Sequence, residues 1–280
     1  MINDAEQFKQ RVKATFDLVA SGYDNPSQRY FPFCADRMIH KLNLKPGEKV
    51  LDIATGTGMA AIAAAQRIRP EGRVHGIDIA ENMISKAQFN ASKHGLDNVD
   101  FHLMDASNLE FRSNYFDVIT CAFGLFFLPD MPAALAQWLR VLKPGGRLIL
   151  TSFTRQAFQP FTDLFRTRVE QMGINFPVAS WQRLAEAPLC QQVLSQAGFT
   201  AVTCDVEQMG YHLQSENDWW EILWNSGFRG IVNQLSAAQQ VQIRVDHLAE
   251  IARLKTDKGL WLNVEVIFTQ ARKSPLGHSE

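Results

Sequence analysis

An α/β fold, a parallel sheet wound by helices on both faces, is predicted by three observations. Short apolar runs alternate with helically periodic segments through residues 44–154, the strand–helix–strand order of a doubly wound sheet. The first run, Val50-Leu51-Asp52-Ile53, passes directly into Thr55-Gly56-Thr57-Gly58 and then an alanine-rich segment, Met59 to Ala65. The third is Lys143-Pro144-Gly145-Gly146, a turn that feeds the apolar run Leu148-Ile149-Leu150.

Residues Ile2 to Ala20 carry Phe8, Val12, Phe16 and Val19 on one stripe and predict an amphipathic helix. It ends at Ser21-Gly22-Tyr23-Asp24-Asn25-Pro26, which is loop chemistry. A second helix, roughly Arg29 to Leu42, leads through Lys45-Pro46-Gly47 into the first strand. There Gly56 and Gly58 permit a tight turn, and the alanine helix behind them leaves free backbone N–H groups at the mouth of a pocket. The spacing Gly56-x-Gly58-x-x-Ala61 also fits a dinucleotide fingerprint, so a nicotinamide-dependent oxidoreductase is one reading. Asp52 argues against it: an acid at the strand end repels a pyrophosphate and attracts a cation. S-adenosylmethionine carries an ammonium and a sulfonium and no phosphate.

At this point the stretch resembles motif I of the class I S-adenosylmethionine-dependent methyltransferases, with Asp52, Gly56 and Gly58 on that motif's acid and glycines and Ala54 and Thr55 between them. The resemblance runs on for about 100 residues. Phe16-Asp17-Leu18-Val19-Ala20-Ser21-Gly22-Tyr23-Asp24 is similar to the FDxxAxxYD entry of the ubiquinone- and menaquinone-related, type 11 group. This makes Tyr23 a lid contact at the cofactor's amino-acid end; a ring packed only for stability is the other reading. The strand Gly72 to Asp78 ends in an acid about 20 residues after Gly58, where a ribose-binding carboxylate belongs. Asp78 resembles motif II, and a surface cap is its alternative. Ile79 and Met83, at the head of the helix to about His94, are expected to flank the adenine.

The third strand, Val99 to Met104, is followed by Asp105-Ala106. The resemblance gives this pair to the adenine, the acid accepting from the exocyclic amine; a helix cap is the alternative. Phe116 to Cys121 is the fourth strand, and Cys121 joins the expected cofactor contacts. In the family the exit loop after it, Ala122-Phe123-Gly124, is where acceptor meets sulfonium. The (Asn/Asp)-Pro-Pro-aromatic element of many base and glutamine methyltransferases is absent there, which argues against amino groups of bases. A helix from Pro129 to about Leu142 leads to the LKPGG element, Leu142 to Gly146.

Beyond Phe153 the resemblance thins. Helices near Phe158 to Met172 and Pro188 to Gln196 precede a sixth strand, Thr200 to Glu207. Tyr211 to Lys258 reads as helical, with Ser215 as an N-cap, and the alternation of Leu260 to Thr269 suits the family's antiparallel edge. The implied architecture is a Rossmann-like, doubly wound, seven-stranded sheet, mostly parallel with an antiparallel last strand. One domain is expected: a helical lid (1–43), a cofactor-binding half (44–154), and helical insertions (155–187 and 209–258) that form an acceptor cap.

In-line methyl transfer asks for alignment, which supplies on the order of 7–11 kcal/mol of barrier reduction. It requires a base only for a weakly acidic acceptor. His212 and His247, in the expected cap, are the candidate bases; each also reads as an ordinary surface histidine. Phe158, Phe161, Phe165, Trp219, Trp220, Trp224 and Phe228 crowd the insertions, as amphipathic packing or as the wall of an apolar or aromatic acceptor pocket.

A net charge of -1 gives no electrostatic reason to expect nucleic acid. Four cysteines without CxxC spacing, Cys34, Cys121, Cys190 and Cys204, read as free thiols in a reducing compartment and as no zinc site. Met1 to Lys13 is too polar for a signal peptide, and no apolar run approaches the 18 or so residues of a membrane span. A cytoplasmic monomer or homodimer with a small-molecule acceptor is the expectation. A non-catalytic S-adenosylmethionine-binding protein is the remaining alternative.

Overall fold

The computed structural model describes residues 4–177 and 179–275; Ile2 and Asn3 of the first predicted helix lie outside them. In chain order the elements are α1 (Asp4–Val19), α2 (Tyr30–Leu42), β1 (Lys49–Ile53), α3 (Met59–Arg67), β2 (Arg73–Asp78), α4 (Glu81–Lys93), β3 (Val99–Leu103), β4 (Phe116–Ala122), α5 (Met131–Val141) and β5 (Leu142–Phe153). Then come α6 (Phe161–Gln171), α7 (Ala187–Gln196), β6 (Thr200–Gln208), β7 (Tyr211–Leu213), α8 (Glu216–Asn225), α9 (Arg229–Val232), α10 (Ala237–Ala252), β8 (Leu260–Leu262) and β9 (Glu265–Arg272). Seven strands form one sheet in the order β3-β2-β1-β4-β5-β9-β6. The first five are mutually parallel, and β9 runs antiparallel to both its neighbours.

The strand order reverses between β1 and β4, and in such sheets the ligand crevice opens at the strands' carboxyl ends there. Val50, Leu51 and Ile53 are fully buried, as a strand covered on both faces requires. Ala60, Ala61, Ala64 and Ala65 bury the small-residue face of α3. The expectation of an edge position for the last strand is corrected. β9 sits between β5 and β6, so β6 is the edge, with Thr203, Asp205 and Val206 exposed.

The predicted strand Leu260 to Thr269 divides in two. Asn263 turns its side chain to the Gln156 carbonyl and to Gln208, and its own carbonyl accepts from Phe158 N at 2.7 Å. β8 therefore leaves the main sheet and pairs with β7. Tyr211 to Leu213 is thus a strand, and the helices of that region begin at Glu216. Ser215 holds the N-cap position without a side-chain bond; the Asp218 carboxylate instead accepts from Gln214 N at 2.8 Å. The LKPGG residues are not a turn before β5 but its first part, an irregular stretch where pairing with β4 jumps from Phe116–Leu142 to Val118–Arg147.

One contiguous core joins the sheet to the insertions. Phe153, Phe158, Trp181, Trp219 and Phe228 meet one another edge-on or tilted, with centroids 5.0–6.4 Å apart.

Candidate active site

A cleft opens over the carboxyl ends of β1, β2, β3 and β4. One end is built from Asp78, Ile79, Met83, Met104, Asp105 and Ala106. The middle is the loop after β1, with Ala54 and Gly56. The other end is aromatic: Phe16 and Tyr23 from the N-terminal segment, Phe123 and Phe127 after β4.

The loop is held from below. Thr55 Oγ1 and Thr120 Oγ1 donate to the two oxygens of Asp52, each at 2.6 Å, and Thr55 N donates to Ile77 O at 2.9 Å. Asp52 is 1% exposed, and burial raises its carboxyl to about 6 against the lowering effect of the two hydroxyls. Asp52 therefore anchors the loop beneath the cleft instead of facing into it. Thr55, Gly58 and Cys121 likewise do not line the cleft. Gly58 stands at φ 88 with no room beside it: a Cβ there would lie 3.1 Å from the Phe101 ring and 3.2 Å from the Ala87 Cβ. Cys121 is fully buried, and burial pushes its thiol up to about 12, so it is neutral and inert.

Asp78 reaches across from β2. Its Oδ2 accepts from Gly56 N and its Oδ1 from Ala80 N, both at 2.9 Å. Burial raises this carboxyl while the backbone donors lower it. Each oxygen retains acceptor capacity for a diol. Asp105 accepts from Ser107 N at 2.8 Å and from Lys9 Nζ at 3.2 Å; no helix starts here among the described residues, so the carboxylate closes a turn instead of capping a helix. Behind it, the buried Trp138 indole donates to Ala106 O at 2.9 Å, fixing this segment against α5. Ile79, Met83 and Ala106 supply apolar surface for a planar ring beside that acid.

Two non-glycine residues here occupy the left-handed region: Ala54 (φ 53) and Phe123 (φ 55). Such backbone costs roughly 1–3 kcal/mol per residue and collects at functional sites. Gly124 follows; a Cβ on it would meet the Ala54 Cβ at 2.5 Å and Cys121 Sγ at 2.9 Å, so the two loops touch because this residue is glycine. Phe123 stacks on Phe153 at 4.2 Å. Tyr23 stacks on Phe31 at 4.8 Å, and burial together with the Asp78 charge raises its phenol, which stays protonated.

The cleft thus gathers Tyr23, Ala54, Gly56, Asp78, Ile79, Met83, Asp105 and Ala106 and leaves out Asp52, Thr55, Gly58 and Cys121. Neither candidate base reaches it. His212 lies on β7 against the Trp261 ring. His247 is fully buried among helices, where its Nε2 accepts from the Trp219 indole at 2.8 Å. Trp220 and Trp224 stack on each other away from the cleft, and Phe158, Phe161, Phe165, Trp219 and Phe228 fill the core. The expected aromatic wall from the insertions is replaced by Phe16, Phe123 and Phe127. Lys9, Val12, Met104, Leu128 and Pro129 also escaped sequence reasoning. For Val12 the signal was the stripe it shares with Phe16, since an amphipathic face must cover something. Among the described residues no group of three or more His, Cys, Asp or Glu is placed to hold a metal, and no helix is long and apolar enough to cross a membrane.

The "Methyltransferase domain" family matches residues 44–192. The aklanonic acid methyltransferase DauC of Streptomyces sp. (strain C5) is 37% identical over 145 residues, which are 52% of this chain. The match takes in 66% of DauC, so the chain spans less than two thirds of that relative's length. The ubiquinone/menaquinone biosynthesis C-methyltransferase UbiE of Shewanella piezotolerans (strain WP3 / JCM 13877) is 33% identical over 218 residues, 71% of this chain and 86% of that one. Among solved structures, the YcgJ protein of Bacillus subtilis shares the fold at a TM-score of 0.57 and 22% identity, over 86% of this chain and 98% of that one. With a seven-stranded sheet of this order, a glycine loop at its switch point and these relatives, the chain belongs to the class I S-adenosylmethionine-dependent methyltransferases.

Proposed function

We propose that this chain moves the methyl group of S-adenosylmethionine to a small, apolar or aromatic acceptor by in-line displacement. The observation that carries the reading is the polarity of the cleft along its length. Asp105 and Asp78 stand at one end, backbone at the Ala54–Gly56 turn, and rings at the other.

Asp105 would hold the adenine amine, and Ile79, Met83 and Ala106 would give its ring an apolar setting. Asp78 accepts from the ribose diol, and its bonds to Gly56 N and Ala80 N hold it rigid for that task. The turn at Ala54 and Gly56 meets the amino-acid end, with Tyr23 as its cover; the buried Asp52 keeps negative charge beneath it. Bound there, the cofactor supplies an electrophilic methyl on a cationic sulfur. Phe16, Phe123 and Phe127 exclude water from the acceptor side and align a flat, apolar nucleophile. Of the titratable residues lining the cleft, Lys9, Asp78 and Asp105 sit toward the adenine end and Tyr23 stays protonated, so the acceptor arrives as its own nucleophile. The UbiE relative is a C-methyltransferase by name and DauC acts on aklanonic acid by name. Quinols, acidic phenols and carboxylic acids are therefore the first acceptors to try. The chain acts alone or as a homodimer in the cytoplasm, without nucleic acid.

The test is a radiolabelled methyl-transfer screen across those three acceptor classes, with single-stranded RNA and DNA as controls. Methylation of at least one small acceptor and of neither polynucleotide is expected. Tight S-adenosylhomocysteine binding with no transfer to any acceptor would leave a cofactor-binding protein, and transfer to a polynucleotide would overturn the acceptor assignment.

A further inference from the structure

The helical insertions, read as a cap over the acceptor, contribute no residue to the cleft lining. The C-terminal turn of α8 grips the loop that carries Tyr23. The Gln28 side chain is 1% exposed, and its Nε2 donates to both Tyr23 O and Asn225 O at 3.1 Å. Its Oε1 is buried with no partner among the described residues. Packing alone would favour an apolar side chain of this size, because a buried amide with an idle acceptor is costly. The grip continues outward. Glu221 Oε2 accepts from Asn25 Nδ2 at 3.2 Å and from Asn225 Nδ2 at 3.0 Å. Gly22 lies so close to Asn225 that a Cβ there would fall 2.0 Å from its Oδ1. On the cleft side, Tyr23 roofs the cofactor loop, its ring 3.8 Å from where a Cβ on Gly56 would stand.

We propose that Gln28, braced by Glu221 and Asn225, is a positioning residue that sets Tyr23 over the cofactor loop, so that the insertion governs cofactor affinity without touching the cofactor. The idea rests on the functional reading above. A single amide joins two carbonyls, one on the lid loop and one at the end of α8. Any shift of α8 is therefore passed to the Tyr23 backbone, and the ring moves with it. Phe16 and Phe127 lie 3.9 and 3.8 Å from where a Cβ on Gly227 would stand, so the α8–α9 junction also abuts the aromatic end.

A double-mutant cycle on the full chain tests this, read by calorimetric titration with S-adenosylhomocysteine. Gln28→Met keeps the volume and removes both donors. It is expected to weaken binding roughly tenfold, and to raise KM for S-adenosylmethionine in step while kcat with any acceptor found stays within about twofold. In a Tyr23→Ala background the same substitution is expected to change affinity by less than about twofold, because the ring it positions is gone. An equal loss in both backgrounds, or no loss in either, would show that Gln28 is only structural and overturn the proposal. Should Gln28→Met fail to fold, Glu221→Gln, which keeps shape and removes the acceptor charge two steps out, is carried through the same cycle with the same criteria. A wild-type chain that does not bind S-adenosylhomocysteine at all would instead fail the functional reading, before any variant is compared.

Discussion

Asp78 meets two demands with one carboxylate. Its oxygens tie the Gly56 and Ala80 amides, and the acceptor capacity left over faces the cleft. Asp78→Ala is therefore expected to do more than remove a ligand contact. Loss of a charged hydrogen bond should weaken S-adenosylhomocysteine binding by roughly 1.5–3 kcal/mol, ten- to a hundredfold. The two orphaned amides should lower unfolding stability by about 1–3 kcal/mol as well. Calorimetry and urea unfolding on the same variant separate the two, and affinity within twofold of wild type would remove Asp78 from the ribose. Gly124 offers a second residue-level test. Gly124→Ala pushes a Cβ into Ala54 and should cost about 1–3 kcal/mol. Adding Ala54→Gly removes the clashing methyl and relaxes a left-handed backbone, so the double variant should regain at least half of the loss in thermal melting. At this scale the acids and glycines were legible in the sequence, because strand ends and tight turns restrict which residues fit. What each carboxyl bonds to was not. Asp52 reads as a ligand-facing acid until Thr55 and Thr120, one of them 68 positions away, are seen to take both of its oxygens.

Among the elements, α1 carries three of the cleft residues that sequence reasoning left unassigned, Lys9, Val12 and Phe16. It lies over the cleft and is pinned by Asp17, whose Oδ1 accepts from Asn82 N at 2.9 Å, and by Lys9 on Asp105. Phe16 meets Phe127 edge-on at 5.2 Å, closing the aromatic end. Phe16→Ala should open that end to water and lower kcat/KM for the acceptor at least about tenfold, more than it changes S-adenosylhomocysteine affinity. An equal loss in both would make Phe16 a cofactor contact only. Trp220→Ala, by contrast, acts on a ring buried away from the cleft and should appear as lost stability with kcat intact. The reason the insertions misled is physical. An amphipathic helix with aromatics on one face buries that face equally well against a core or a ligand, and local pattern cannot tell which. β1, its glycine turn and α3 were legible because their signal is entirely local. The break at Asn263 was not, since it depends on Gln156 and Gln208 arriving from elsewhere.

At the scale of the molecule, two of the buried titratable groups among the described residues, Asp52 and His247, have opposed pH demands. Asp52 is raised from 3.8 to about 6, so the stability it gives is complete below pH 3.8 and lost as pH rises through 6, about 3 kcal/mol in all. His247 is lowered from 6.5 to about 4 by burial, so its stability is complete above pH 6.5 and lost as pH falls through 4, again about 3 kcal/mol. Between pH 4 and 6 the two slopes oppose. Urea unfolding across that window should give Asp52→Asn a steeper acid loss than wild type, and His247→Gln a stability that declines with rising pH. Parallel curves for all three proteins would refute the assignment.

The position of β9 has a consequence for how the chain is made. A ribosome releases β5 long before β9, and until Arg272 has emerged the flank of β5 that β9 will cover has no strand beside it. At ordinary elongation speeds that interval is on the order of ten seconds. Leu148, Ile149 and Leu150 spend it on an open edge, the kind of surface that holding chaperones bind and that neighbouring nascent chains can pair with. The enzyme's yield in a cell should therefore track the supply of such chaperones more closely than its finished stability would suggest.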